Sequence, residues 1–459
     1  MLIWICGIFL ILSVLRSIQA YKRLMIDPVI LFFGIWLGVF ALYALDNSVI
    51  HLFYYYGDIG SYATRLFAES FVSFFVGGFV AAGLVSFSKH KRIRGQASVI
   101  LDKESKQWDM LLLCTKRLTL IYFAAVIVKY ALLVGTYGGN PLAYLYEIRI
   151  EKSLSLHQRS FPIIFGFQNV LGNLIFLNLG VLLSLSKKRS VRNLTLLMLI
   201  FAFLDDATTA DKGSVKEALF LVFTWLITSY LLEFRRFQIR TYVKPALVFV
   251  VFLLFLSSIT YFRVLPGWSD LTKSAPWSGL AQGNPLSFAT VWHFYNNIVG
   301  NIPSTASMFD YPASSVYPGD NTLMDIYKFL DTLVRAVFGT GLFPNGYWIV
   351  KVVEYQPYLA RYGIFNTVSH LGYYYSDFGE AGVIVLSFLL GFFTSYFYKK
   401  AILSKRLSDI QRASMLMAAI VYTIRSVLYG GVNFWLTFLV IGIQHKMLQR
   451  ARRRLDTSS

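Results

Sequence analysis

Apolar residues run along this chain in long unbroken blocks, not at alternate positions. Eleven blocks stand out, near 2–20, 28–46, 66–87, 118–136, 162–185, 193–206, 214–232, 244–262, 378–398, 412–428 and 431–447. A bilayer core takes about 20 mostly apolar residues per helix, so each block predicts a membrane-spanning helix. The block at 193–206 is short, and the last two are closely spaced. Lipid cannot satisfy free backbone polar groups, which makes helices the default spanning element. The alternating ten-residue segments of a transmembrane barrel are absent from the pattern. The first block has no basic n-region and no small-residue cleavage site, so it reads as a helix and not as a signal peptide.

The connections are short or moderate except one. Residues 263–377 separate two apolar blocks, dividing the chain into a bundle over 1–262, a long loop over 263–377, and a final set of helices with a basic tail over 378–459. The loop opens with turn signals (Pro266, Gly267, Pro276, Gly279, Gly283, Pro285) and continues into a helix-compatible run over 287–300. A Pro-rich break follows over 311–321, where Asn321 is placed to cap the next helix. In that helix Leu323, Ile326, Tyr327, Leu330, Leu333, Val334 and Val337 share one face, and Asp325, Lys328, Asp331, Thr332 and Arg335 the other. Such an amphipathic helix lies on a bilayer or over a bundle, as a packed lid or as a substrate floor. No internal repeat of the kind found in many transporters is visible.

Composition agrees with the pattern. Of 459 residues, 56% are apolar, 17% aromatic and only 15% charged, against roughly 25% charged in soluble domains. The chain carries a net charge of +19. The cations are unevenly placed. The connections 21–27, 88–117, 186–192, 233–243, 399–411 and 448–459, with their flanking residues, hold 28 Lys and Arg. The alternate connections hold 11, although they are longer. The positive-inside rule makes the first set cytoplasmic, the N-terminus external and the C-terminus internal. The basic balance is then an orientation signal and does not call for nucleic acid as a partner. The two cysteines, Cys6 and Cys114, fall in different parts of the bundle and predict neither a disulfide nor a metal site. There is no Walker loop, no GxGxxG before a helix and no HExxH, so no metal or cofactor is expected.

Ionisable residues near membrane depth are functional candidates. On the external side these are Arg149, Lys212, Lys216, Arg263, Arg361 and Arg425, with Lys129 about two turns inside the fourth helix. Arginine presents a planar fork of donors that matches phosphate. Arg149, Lys212, Arg263 and Arg425 are therefore candidate ligands of a diphosphate head group; Lys129 has snorkelling as its alternative and Lys216 pairing with Asp205, Asp206 or Asp211. External clusters of Tyr, His and carboxylates lie at 51–58, 140–147 and 369–380. They suit sugar rings and equally suit an interfacial aromatic belt. Glu147, His370 and Asp377 are the candidate general bases for a sugar hydroxyl.

With these residues in place, the chain resembles the Wzy-type O-antigen polymerases. The resemblance rests on the Gly138-Gly139…Tyr144…Arg149 pattern, the polar break Ala210-Asp211-Lys212-Gly213, the Arg263 exit, and Asn366-Thr367…Tyr375-Ser376-Asp377-Phe378-Gly379…Gly382. At 212 the family usually has Arg. Lys keeps the charge and loses the fork. The resemblance implies an all-α polytopic membrane protein of about eleven helices with one large periplasmic loop, similar to GT-C-like membrane glycosyltransferase bundles, in a bacterial inner membrane. It implies transfer of a growing glycan from undecaprenyl diphosphate to the non-reducing end of an incoming lipid-linked unit, without ATP. Tyr144, Asn366, Tyr373 and Tyr375 would contact the glycan. Membrane lipid, a chain-length regulator and a flippase would be its further partners. An O-antigen ligase, a lipid-oligosaccharide flippase or other transporter, and a structural partner of a chain-length regulator are the competing readings.

Overall fold

The computed structural model describes residues 1–21, 26–45, 48, 59–88, 107–137, 162–186, 188–209, 213–232, 298–310, 317, 319–344 and 368–458. Its regular elements are helices: α1 (Leu2–Tyr21), α2 (Pro28–Leu45), α3 (Ser61–Ser88), α4 (Gln107–Tyr137), α5 (Pro162–Leu185), α6 (Arg189–Thr209), α7 (Gly213–Leu231), α8 (Asn301–Phe309), α9 (Met324–Phe338), α10 (His370–Ser404), α11 (Leu407–Tyr422) and α12 (Val432–Ser458). Among the described residues seven helices, α1–α5, α7 and α10, are long and apolar enough to cross a membrane. That is the character of a polytopic membrane protein. The expected spans at 193–206, 412–428 and 431–447 correspond to α6, α11 and α12, which fall short of that measure. The helix α11 has only 16 residues, and the second half of α12 is basic. The expected span at 244–262 lies outside the described residues.

Local chemistry sets several helix ends. Asp27 caps α2: its Oδ1 accepts the Ile30 N–H at 2.9 Å and its Oδ2 accepts Arg16 Nη2 at 2.9 Å. Pro28 follows at the first helical position, where its missing N–H costs nothing. Gly339 ends α9 in the left-handed conformation, φ 73°, as is usual for a glycine just past a helix. The cap of α9 differs from the expectation. Leu323, not Asn321, is the cap residue and makes no side-chain bond, because the backbone of 321–322 is committed elsewhere.

The centre of the bundle is the pairing of α3 with α10. The two run parallel at a constant offset of 317 residues, as the Ser70–Ser387 hydroxyl bond (2.9 Å) and the Lys399 bond to the Ala82 carbonyl (3.4 Å) show. Small residues let the backbones touch. A Cβ on Gly77 would stand 2.1 Å from the Phe388 carbonyl oxygen, and one on Gly391 2.1 Å from that of Phe74. Lipid offers no hydrophobic drive between helices, so close packing at small residues has to supply the attraction. Buried amides add to it elsewhere: Asn178 Oδ1 accepts from Gln411 (2.7 Å) and Gln444 (3.0 Å), tying α5 to α11 and α12.

The helix α10 is not straight. Gly379 has φ 63° and ψ −151°, and two helical limbs meet there. A Cβ on Gly382 would lie 2.6 Å from the Tyr374 carbonyl oxygen, although eight residues of continuous helix would separate them by about 12 Å. Residues 370–378 therefore double back along the second limb. The His370 ring packs on Phe32 and Trp36, and Trp36 packs on Phe67 and Phe71 of α3. By the 317-residue offset, those α3 positions are level with Ile384 and Phe388. The short helix α8 runs beside this first limb, with Phe309 against Tyr375 and Phe67. All nine of its residues are buried. Where described, then, the 263–377 stretch does not all stand clear of the bundle. The physical reason is its composition: small residues in NIPSTASMF and an apolar SHLGYYY run fit between packed helices, and Pro303 is tolerated in the first turn of α8, where its N–H is not needed.

Candidate functional site

Call the end of the bundle where α3 begins and α10 turns the hairpin end. Four sequence-nominated residues, His370, Tyr373, Tyr375 and Asp377, lie on the first limb of α10, and Arg425 lies in the turn after α11. The tertiary structure gives them different environments.

His370 is fully buried, 0% exposed. Its Nδ1 donates to the Thr423 carbonyl oxygen at 3.0 Å, and its backbone N–H donates to the same oxygen at 2.9 Å. A carbonyl can only accept, so Nδ1 carries the proton and Nε2 is the bare nitrogen. Nε2 has no hydrogen-bond partner. Phe32, Trp36 and Tyr374 surround the ring. Thr423 also accepts from Trp36 Nε1 at 3.3 Å through its hydroxyl, and Ser369 bonds Thr305 of α8 at 2.9–3.0 Å. In this setting His370 locks the first limb of α10 to α11 and α2 and faces no open surface.

Asp377 is buried too, and its carboxylate holds a strap. Oδ1 accepts the Asn321 N–H at 3.0 Å and Oδ2 the Thr322 N–H at 2.6 Å. Gly430, in the 3-10 turn Leu428–Gly430, comes so close to Thr322 that a Cβ would be 2.2 Å from its carbonyl oxygen. The 319–323 turn is thus fastened between α10 and the start of α12, directly before α9. Asp377 serves here as an anchor for the backbone leading into α9.

Arg425 is half-buried and forms no ion pair among the described residues. It lies within electrostatic reach of Tyr373, as does the exposed Asp325 at the start of α9. Tyr375 joins a second cluster on the same limb: its hydroxyl lies 3.3 Å from that of Tyr62, which donates to Glu380 Oε1 at 2.8 Å. Arg65 pairs with the same oxygen at 2.9 Å. Glu380 closes the 369–380 run, yet nothing in sequence separates it from its neighbours. Its exposure and its partners are tertiary facts.

A buried ion pair links α4 to α6. Lys129 is 2% exposed and bonds Asp205 Oδ1, which also accepts Tyr130 OH at 3.0 Å; Asp205 Oδ2 accepts Gln168 Nε2 from α5 at 2.9 Å. Asp205 was one of three acids, with Asp206 and Asp211, that the sequence offered to Lys216. Lys129 has it instead, and Lys129 does not snorkel. The sequence signal was present, since both residues interrupt apolar runs, but the pairing needed the packing of α4 on α6.

Tyr144, Glu147, Arg149, Lys212, Arg263 and Asn366 lie outside the described residues, as does Arg361. No cluster of three or more His, Cys, Asp or Glu that could hold a metal occurs among the described residues. A scan of protein-family models and searches of the curated proteins and of the solved structures find nothing that matches this chain.

Proposed function

We propose that the protein is a polytopic inner-membrane glycosyltransferase that polymerises lipid-linked oligosaccharide units on its external face, with the hairpin end outside. One observation carries the reading: Arg425, a half-buried guanidinium without an ion-pair partner among the described residues, lies within electrostatic reach of Tyr373 on the limb of α10 whose Asp377 holds the strap. A cation at the edge of lipid calls for an anionic partner, and a diphosphate head group next to an aromatic hydroxyl is the partner this chemistry fits. Arg149, Lys212 and Arg263 join Arg425 as ligands of donor or acceptor diphosphate. Binding the leaving diphosphate stabilises the charge that develops on it. Glu147 is the proposed base for the acceptor hydroxyl. Tyr144, Asn366, Tyr373 and Tyr375 line the glycan, while His370 and Asp377 shape the site by holding its backbone.

A transport function is the second reading, and the broken α10 favours it, because discontinuous helices commonly form the substrate sites of transporters. Glycan length separates the two. In cells carrying Arg425→Ala, a polymerase loses long chains and leaves core plus one unit. A ligase leaves bare core, and a flippase leaves lipid-linked units on the cytoplasmic face. Arg425→Lys retains part of the polymer. Normal chain length in Arg425→Ala cells would sink the polymerase reading.

A further inference from the structure

The helix α9 is turned inside out for a segment in water. Beyond the exposed Asp325 of its first turn, its charged residues Lys328, Asp331 and Arg335 point inward. Lys328 is buried, and Asp331, 1% exposed, accepts Arg335 Nε at 3.0 Å and the Phe343 N–H at 3.1 Å. Arg335 also donates to the Phe343 carbonyl oxygen, so the chain after Gly339 folds back over the polar face, with Phe343 held between Tyr317 and Tyr327. The apolar face is left outside: Leu330, Leu333, Leu342, Val337 (71% exposed) and Phe338 (72%). This is the reverse of a lid, which would present its apolar face to the bundle.

Three observations point to what covers that face. Fifteen residues of helix reach about 22 Å, too short to cross a hydrocarbon core of about 30 Å. The start of α9 sits where α12 begins, with Asp325 Oδ2 3.7 Å from the Cβ position of Gly431. And α12 itself exposes Trp435, Leu439, Ile443 and Met447, an apolar stripe one residue in four, which is the surface a helix shows to lipid. The first turn of α9 therefore lies at the end of α12 from which that stripe runs. Trp435 donates its indole N–H to the Tyr429 carbonyl oxygen there, in keeping with the interfacial habit of tryptophan.

We infer that α9 is an in-plane amphipathic helix whose Leu330, Leu333, Val337 and Phe338 face is immersed in the acyl-chain boundary of the leaflet at the hairpin end. The occupant is phospholipid. Because 319–323 is fastened to Asp377 and runs directly into α9, the bilayer surface then helps to position that strap. The inference stands on burial and position, and it does not depend on the glycosyltransferase reading.

Spin-label accessibility tests it on the full chain in phosphatidylethanolamine–phosphatidylglycerol vesicles. Single cysteines are placed at Val337, Phe338 and Leu342 after Cys6→Ala and Cys114→Ala, with Phe79→Cys on the spanning helix α3 as the lipid reference and Asp325→Cys as the water reference. The expected result is an oxygen-to-nickel collision ratio at Val337 and Phe338 that approaches that at Phe79 and stands well above that at Asp325. A water-like ratio would mean the helix stands clear of the bilayer. Protection from both reagents would mean that protein covers the face, a second copy or another segment. Either outcome overturns the inference. Leu342→Cys replaces any label position whose gel-filtration profile shows misfolding.

Discussion

At Lys129 and Asp205 two formal charges sit among apolar helices and bond each other, with Tyr130 and Gln168 also donating to the carboxylate. The Lys129 side chain is almost wholly buried, and that of Asp205 is 18% exposed. Removing one member of a buried pair leaves a charge without its counter-charge, at a cost of about 3–5 kcal/mol, whereas replacing both with apolar groups is often close to neutral. Lys129→Met is therefore expected to lower the thermal unfolding midpoint in detergent markedly, and Lys129→Met combined with Asp205→Leu to recover most of the loss. Equal destabilisation by the single and double variants would show that the pair acts independently of its charge balance. Both residues could be picked out in sequence as charges inside apolar blocks. Their partnership could not, because 76 residues separate them and three candidate acids stood nearer to Lys216. His370 is the opposite case. Sequence nominated it by type and by its polar neighbours, and packing placed its ring among Phe32, Trp36 and Tyr374.

Among the elements, α10 shows how one residue can redirect a helix. Its 35 residues read in sequence as an apolar span starting near 378, with the preceding SHLGYYYSD assigned to the end of a loop. The doubling back at Gly379 makes that segment an interior limb. With φ 63° and ψ −151°, Gly379 occupies a region essentially restricted to glycine, where any other residue costs about 1–3 kcal/mol. No neighbouring atom lies within 4 Å of its Cβ position, so Gly379→Ala isolates the backbone cost. It is expected to lower stability and loosen the Tyr375–Tyr62 contact. Gly38→Ala, in the middle of α2 and equally unobstructed, is expected to be neutral or stabilising, since alanine is the better helix former. Circular-dichroism melts of the two variants compare them directly; equal midpoints would remove the strain argument. The amphipathic period of α9 was legible residue by residue. The direction its apolar face takes was not, since a helical wheel carries no information about which side meets protein.

Across the whole molecule, the parallel contact of α3 with α10 joins segments 317 residues apart and determines which chain ends share a side. Its closeness depends on glycine. A methyl group at Gly391 would sit 2.1 Å from the Phe74 carbonyl oxygen, a backbone atom that cannot rotate away. Overpacking of this kind commonly costs about 1–3 kcal/mol. Gly391→Ala is expected to lower the unfolding midpoint and the yield of folded protein from the membrane, and a variant as stable as the parent would show the two helices free to separate. The same pairing brings Tyr62 and Arg65 to Glu380 and places the strap, Arg425 and Tyr373 at one end.

By itself the sequence determined the helical class, the positions of most long apolar helices and the amphipathic character of α9. These follow from local hydrophobicity and its period, which each segment carries alone. Tertiary structure decided the rest: the hairpin in α10, the burial of α8 and His370, the Lys129–Asp205 pair, the anchoring role of Asp377 and the outward face of α9. Each is a relation between segments distant along the chain, set by which side chains fit together once helices pack, and no local pattern encodes that fit.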